Sequence, residues 1–400
     1  MALLTVTDAL DQILGDVAVA DIENVSLHNA TARVLARDLK ASRNQPPFRS
    51  SAMDGYAIRA DNVRELPTKL QIIGEAAAGY FFPDALHNWE AVRIFTGAPV
   101  PEGADTVVMQ EKTERDGAFV SILEAVTKGS NIRDCGQDFK KDDILLKRGT
   151  ELTYRHLALA AAMNHAVLPV YRRPVIAILS TGDELVLPGE TPSDSQIIAA
   201  NNFAIASYAQ TIGADIMDLG IARDDMTEIA TTIEKAVAAR VDCLVTIGGV
   251  SVGDHDLVQE ALKKAGMDLK FWRIAMRPGK PLLAGKLGNT HVLGLPGNPV
   301  SSMTCALLFL QPMIRKMLGK DTPYEIRQAI SGHALPANDH RQSYMRARTH
   351  MDEAGRTVAS LFSDQDSSKM ASFAQADCLI VRPANAPASE AGAPCQILSL

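Results

Sequence analysis

Three short stretches of this 400-residue chain combine glycines with hydroxyl and acidic residues. They read Ser180-Thr181-Gly182-Asp183-Glu184-Leu185, Gly248-Gly249-Val250-Ser251-Val252-Gly253-Asp254-His255-Asp256 and Gly294-Leu295-Pro296-Gly297-Asn298-Pro299. Glycine lets backbone N–H groups come close to a phosphate, and the N-terminus of a following helix adds the positive end of its dipole. Carboxylates in the same loops repel an anion unless a divalent cation lies between them. The combination therefore points to a phosphate bridged by Mg²⁺, with Gly248, Gly249, Ser251, Gly253, Pro296 and Pro299 as candidate phosphate-binding or substrate-binding positions. Arg277-Pro278-Gly279-Lys280-Pro281 sets two cations on one turn, a natural anion clamp. Any one of these loops alone is better read as a tight turn that needs glycine. Three at one sheet edge favour a site. A rival reading comes from Gly249-Val250-Ser251-Val252-Gly253, which matches the G-x-S-x-G elbow of serine hydrolases. That chemistry needs an acid and then a histidine further along. His291 falls inside an expected strand, which ranks the hydrolase second.

The elements that must position these loops follow from hydrophobic patterning. Val175 to Leu179 is a continuous apolar run, as in a strand buried on both faces. Helical patterns at Asn201–Ile212, Met226–Ala239, Leu257–Ala265 and Pro299–Leu318 alternate with strand patterns at Ala214–Leu219, Cys243–Ile247 and His291–Leu295. This alternation predicts a doubly wound, mostly parallel α/β domain, in which ligands bind beyond the carboxyl ends of the strands. Before it, short apolar runs at Leu70–Ile73, Ala91–Phe95, Thr106–Met109 and Phe119–Leu123 are punctuated by glycine and proline and predict a β-rich module. The module carries three polar loops, Ser50–Ala57, Thr96–Asp105 and the turn around Asp138, which on their residues alone read as structured loops. Helices are expected at the N-terminus, over Ala30–Leu39 and over Thr153–Met163. Beyond Pro323 four short strands, Tyr344–Arg348, Thr357–Leu361, Cys378–Arg382 and Gln396–Leu400, predict a C-terminal β domain.

Bulk properties remove several function classes. The formal charge of −7 gives no electrostatic basis for nucleic-acid binding. No apolar run is long enough to span a bilayer. The five cysteines are scattered, with no C-x-x-C pair, so neither a zinc knuckle nor a disulfide framework is expected. With no export signal at the amino end, a cytoplasmic setting is the expectation.

Taken in order, the loops resemble the molybdopterin molybdenumtransferase (MoeA) family, which includes the E domain of gephyrin. The resemblance rests on SAMDGYA (Ser51–Ala57), TGAPVPEGAD (Thr96–Asp105), NIRDCGQDF (Asn131–Phe139), STGDEL (Ser180–Leu185), GGVSVGDHD (Gly248–Asp256), RPGKP (Arg277–Pro281) and LPGNPVS (Leu295–Ser301). It implies four domains: residues 1–45 with 141–172 as a discontinuous helical linker domain, 46–140 as the inserted β-rich module, 173–320 as the α/β pterin- and nucleotide-binding domain, and 321–400 as a β-barrel-like domain. It also implies the reaction, in which molybdate and adenylylated molybdopterin give molybdenum cofactor and AMP, with Mg²⁺ as the cation.

Carried across position by position, the resemblance assigns Asp54, Thr96, Asp138 and Asp256 to catalysis. Glu184, Asp224 and Asp256 become metal ligands, and Arg277 and Lys280 become anion-attracting groups. Asp254 is a neighbour in the same loop. The resemblance further implies a homodimer with shared sites and contacts with other proteins of the cofactor pathway. The sequence departs from the family pattern at Ala199-Ala200, where a polar residue and then Ser or Thr are usual. It also departs at Ile247, where Ser is common, and at Asp142, where glycine is usual. A non-catalytic pterin-binding scaffold is the third reading, set apart from the enzyme by Asp256→Asn, which a scaffold should tolerate.

Overall fold

The computed structural model describes residues 3–249, 257–320 and 324–400. The chain divides into two compact units, one made of Met1–Glu23 and Tyr171–Leu400, the other of Asn24–Val170.

The first unit is built on a six-stranded sheet. Its elements in chain order are β1 (Val175–Thr181), α1 (Asn201–Ile212), β2 (Asp215–Ala222), α2 (Met226–Ala238), β3 (Cys243–Ile247), α3 (Leu257–Lys264), β4 (Asp268–Trp272), β5 (Leu283–Leu287), β6 (Thr290–Leu295), α4 (Pro299–Cys305) and α5 (Gln311–Met317). The strand order is β2-β1-β3-β6-β5-β4. The first four strands run parallel; β5 and β4 add antiparallel. Ala177, Leu244 and Val292 stand in register and pack with Ile229, Ile233, Val258 and Leu262 of α2 and α3 into one core layer. Helix α1 contacts β1, β2, α4 and α5, and α4 contacts β6. The doubly wound α/β expectation is met, and all four parallel strands fall where the apolar runs put them. The antiparallel pair β4 and β5 was not expected. Each interrupts its apolar residues with lysine, aspartate or glycine, which suits β4 at the edge of the sheet; β5 lies buried between it and β6.

One expected helix differs in form. Over Pro299–Leu318 the chain is helical but not uniform: α4 passes through a wider π turn at Ala306–Leu310 into α5. Pro312 lacks the N–H that an α-helix would donate to the carbonyl four residues back, and the wider turn lies immediately ahead of it.

The end of this unit is a closed five-stranded barrel. Gln342–Met351, Thr357–Leu361, Ile326–Ser331, Pro394–Ser399 and Cys378–Arg382 pair in that order, and the last pairs back to the first. Ile326–Ser331 is the strand that periodicity missed. The two-residue strand Met276–Arg277 adds to the barrel beside Gln342–Ser343, so the Arg277–Pro281 turn is fastened to it.

The second unit contains another six-stranded sheet, ordered Thr106–Met109, Gly55–Ile58, Glu90–Ile94, Thr68–Ala76, Phe119–Ile122, Thr113–Asp116. A separate core joins Ala30, Leu35 and Leu39 to Phe139, Leu146, Leu152, Met163 and Val170. The helix expected over Ala30–Leu39 is absent. Ala32 takes the left-handed conformation, φ 60°. The backbone groups that a helix would pair internally go to neighbouring segments: Ala32 N–H to Leu152 O (2.8 Å), Leu35 N–H to Thr150 O (3.0 Å) and Ala36 N–H to Pro169 O (3.0 Å). Pairing with distant segments of the same chain satisfies the same donors, and apolar periodicity alone could not tell the two apart.

Candidate functional site

At the carboxyl ends of β1 and β3 the first unit opens into a cavity of about 830 Å³. Its wall includes Glu184 and Asp224, the Gly248-Gly249 turn, and Pro296 and Pro299. Residues from four separate parts of the sequence meet because parallel strands bring all their carboxyl ends to one edge.

Local chemistry fixes each wall. A Cβ at Gly182 (φ 145°) would lie 2.3 Å from Glu184 Oε2, so only glycine leaves room for that carboxylate to fold back. The Asp183 carboxylate accepts the Asp224 N–H at 3.3 Å, linking the end of β1 to the turn that precedes α2. Asp225, next along, caps α2 by accepting the Thr227 and Glu228 N–H groups, which sets where Asp224 leaves the strand. Gly248 (φ 87°) passes so close to Thr181 O that a Cβ would stand 2.9 Å away. Across the cavity the Asn201 amide donates to Gly297 O at 2.7 Å, and Asn298 Nδ2 donates to Ser367 Oγ at 3.0 Å. Ser367 O also accepts the Val300 N–H at 3.0 Å, so a loop of the barrel region braces the start of α4.

Thr181 and Asp183 lie inside the quoted STGDEL motif but were given no role, and sequence reasoning missed Asn201 and Ser367. Asn201 directly follows the Ala199-Ala200 pair, and its hydrogen-bonding type was the available signal. Ser367 had none.

Of the residues singled out from the sequence, Glu184, Asp224, Gly248, Gly249, Pro296 and Pro299 share this cavity. Ser251, Gly253, Asp254 and Asp256 lie outside the described residues. Arg277 and Lys280 are exposed, and Pro281 of the same turn lines the cavity. Ala199, Ala200 and Ile247, the departures from the family pattern, line it too. Asp142 adopts φ 71°, the left-handed region that explains glycine as the usual residue there. His291 pairs with Cys243 at the amino end of β3, far along the strand from Gly248. Burial depresses its pKa to about 4. It offers nothing to a Ser251 hydrolase.

Asp54, Thr96 and Asp138 belong to the second unit. Asp54 Oδ1 accepts both the Thr96 N–H (2.7 Å) and the Thr96 hydroxyl (2.8 Å). Those two bonds hold the Asp54 carboxyl below the usual carboxylate range. Gly55, next in sequence, has no room for a side chain, because a Cβ would stand 1.8 Å from Val108 O. The third motif runs alongside: Ser50 and Ser51 pair with Arg133 and Ile132, and Ala52 N–H bonds Asn131 O at 2.8 Å. Asp138 itself is exposed, its N–H bonded to Gln45 O at 2.9 Å.

Glu184 and Asp224 line the cavity as carboxylates that would offer oxygen ligands to a hard divalent cation, and the buried Thr181 Oγ1 has no hydrogen-bond partner. Mg²⁺ commonly takes one or two carboxylates and fills its remaining positions with water and phosphate oxygens. Among the described residues no group of three or more His, Cys, Asp or Glu side chains is placed to hold a metal.

A parallel sheet with an acid-lined, glycine-turned cavity at its carboxyl edge, where such folds place their ligands, followed by a small barrel, defines a multidomain α/β protein. Residues 4–164 match the MoeA N-terminal region (domain I and II), 177–316 a probable molybdopterin binding domain, and 328–400 the MoeA C-terminal region (domain IV). The chain is 36% identical to the molybdopterin molybdenumtransferase of Haemophilus influenzae, over 90% of this chain and 89% of that one. It is 34% identical to that of Bacillus subtilis, over 94% and 90%. Its structure resembles the molybdopterin biosynthesis moea protein from Pyrococcus horikosii with a TM-score of 0.87 at 28% identity, covering 100% and 99% of the two chains. The chain belongs to the molybdopterin molybdenumtransferase family, transferases of molybdenum-cofactor biosynthesis.

Proposed function

We propose that this chain inserts molybdenum into adenylylated molybdopterin, using molybdate as the second substrate and releasing AMP. The observation that carries the reading is the gathering of Glu184, Asp224 and the Gly248-Gly249 turn around one cavity, in a chain of this family. A phosphoanhydride is polyanionic, and backbone N–H groups at a glycine turn suit its oxygens. Gly248, Gly249, Ser251 and Gly253 hold the phosphate, with Pro296 and Pro299 shaping the opposite wall. Glu184, Asp224 and Asp256 would hold Mg²⁺, whose chemistry is to neutralise charge on the departing phosphate. Arg277 and Lys280 draw the anionic substrates to a protein of net negative charge. Asp54, held ionised by Thr96, and Asp138 handle protons or orient an oxo group or water, with Asp256 serving beside them. A water or molybdate oxygen attacks the adenylyl phosphorus, the anhydride P–O bond breaks and AMP leaves with that oxygen, while molybdate gives up one oxo group as water, taking the two dithiol protons, and ends bound by the dithiolene sulfurs. The working form is a homodimer in which each site draws on both protomers.

The test is reconstitution from purified components. Chain, adenylylated molybdopterin, molybdate and Mg²⁺ are mixed and AMP is followed. AMP release that requires molybdate is expected. No AMP with every component present would sink the reading, and equal release without molybdate would make the chain a hydrolase.

A further inference from the structure

The β module of the second unit carries a cavity of its own, of about 730 Å³. None of its residues belongs to a motif quoted above, and none has a role in the proposed transfer reaction. Three observations mark it as a site.

The first is Asn62, which lines the cavity at 6% exposure. Its Nδ2 is buried and has no hydrogen-bond partner. A buried donor without an acceptor is unfavourable, and native proteins leave few of them unless a ligand or water completes the set. The turn that carries it is fixed: Asn62 N–H bonds Arg59 O at 3.1 Å, and Ala60 N–H bonds the Asp105 carboxylate at 2.7 Å.

The second is Trp89 on the same wall. It is 60% exposed and sits at φ 65°, a backbone region that a bulky side chain rarely adopts. Its carbonyl accepts the Gln71 N–H at 2.9 Å, so the indole is presented from a pinned backbone.

The third is charge. Arg59 and Arg64 line the cavity, and neither forms an ion pair with a carboxylate among the described residues. Lys69 is already engaged, 3.2 Å from Asp116 and over the Phe119 ring. With Lys69 counted, three lining cations face the two lining acids Asp61 and Glu65, an excess of one. That balance fits a small ligand with one anionic group better than a polyanion.

We propose that this cavity binds an adenine mononucleotide, with the base stacked on Trp89, its edge met by the Asn62 amide, and its phosphate held by Arg59 and Arg64. An asparagine side chain can set one N–H donor and its carbonyl acceptor side by side against the edge of a base. The N6/N7 edge of adenine offers the matching acceptor and donor, whereas the N7/O6 edge of guanine offers two acceptors. An exposed indole is a stacking surface for a base, and guanidinium groups suit phosphate geometry. The cavity volume lies in the range of small-molecule sites. The proposal stands apart from the transferase reading, and its failure leaves that reading as it is.

Trp89 and Trp272 are the two tryptophans of the chain, so Trp272→Phe leaves Trp89 as the reporter. In that full-length background, AMP should quench the Trp89 fluorescence saturably. Ribose 5-phosphate should not, and Arg59→Glu should weaken the AMP effect at least tenfold. Trp89→Gly, which fits the left-handed backbone without strain, provides a second measurement. Calorimetry should show one AMP site fewer per chain than the parent. Absence of quenching at millimolar AMP, an unchanged AMP affinity in Arg59→Glu, or an unchanged number of AMP sites in Trp89→Gly would overturn the site. Equal affinity for GMP would overturn the adenine assignment.

Discussion

The α/β cavity and the Asp54 loop are built by opposite means. Around the cavity, residues from Gly182 to Pro299 meet because four parallel strands end at one edge, and the backbone itself forms much of the wall. In the β module, a single carboxylate is held by two hydrogen bonds from one residue, and the motifs lie together because Ser50–Ser51 and Ile132–Arg133 pair as short antiparallel strands. The first arrangement depends on topology and tolerates change in individual side chains away from the ligand. The second depends on a few close contacts. Substitutions that spare the fold should therefore be easier to find at the cavity than at the Asp54 loop.

The sharpest break in this contrast is Gly55→Ala. The added methyl would meet the Val108 carbonyl, which belongs to a paired strand and cannot turn aside. A loss on the order of 3 kcal/mol in a denaturant melt is expected. A loss below about 1 kcal/mol would show that the Asp54 loop is less constrained than its contacts imply. At the cavity, Glu184→Gln and Asp224→Asn should do the reverse. Molybdate-dependent AMP release should fall roughly 100-fold or more, with the melting curve nearly unchanged because both groups line open space. Removing divalent cations with a chelator should reproduce that loss, and Mg²⁺ should restore it; full activity in excess chelator would remove the metal from the account.

What the sequence disclosed follows the same division. Strands β1, β3 and β6 were legible because buried strands are continuous apolar runs, and each of the three is followed by a glycine-bearing turn; Glu184 lies in one of those turns, whereas Asp224, after the partly exposed β2, was singled out only through the family resemblance. Strands β4 and β5 were not, since both mix polar and apolar residues, as Asp268-Leu269-Lys270-Phe271-Trp272 does at the sheet edge and Gly285-Lys286 does within β5. The Ala30–Leu39 segment was misread as a helix because its alanines and leucines suit one, while its actual partners lie over a hundred residues away. The Thr96–Asp54 bond was invisible for the same reason: two loops 42 residues apart had to be brought together first.

A smaller effect probes the hydrogen bonds directly. Thr96→Val removes the hydroxyl but keeps the stronger backbone N–H bond to Asp54. The Asp54 carboxyl, depressed in the folded chain, should move part of the way back up. Below its folded pKa the group is protonated, so the acid limb of the pH–activity profile should shift to higher pH in the variant. An unshifted limb would separate Asp54 from the titration. The smallest change is expected for Lys280→Ala. Its exposed ammonium acts through long-range attraction, so substrate affinity should fall about fivefold at low salt, and the difference should narrow as salt is added. An affinity equal to the parent at low salt would dismiss the role.

In the proposed reaction the α/β cavity and the Asp54 loop serve one chemistry. The most direct test is subunit mixing of Asp54→Asn and Asp224→Asn chains, each inactive alone, with molybdate-dependent AMP release measured on the isolated heterodimer. Sites drawn from both protomers predict that the mixed dimer regains one working site. A verified heterodimer with no activity would contradict sharing between protomers, and full activity in the Asp54→Asn homodimer would contradict any role for the β module.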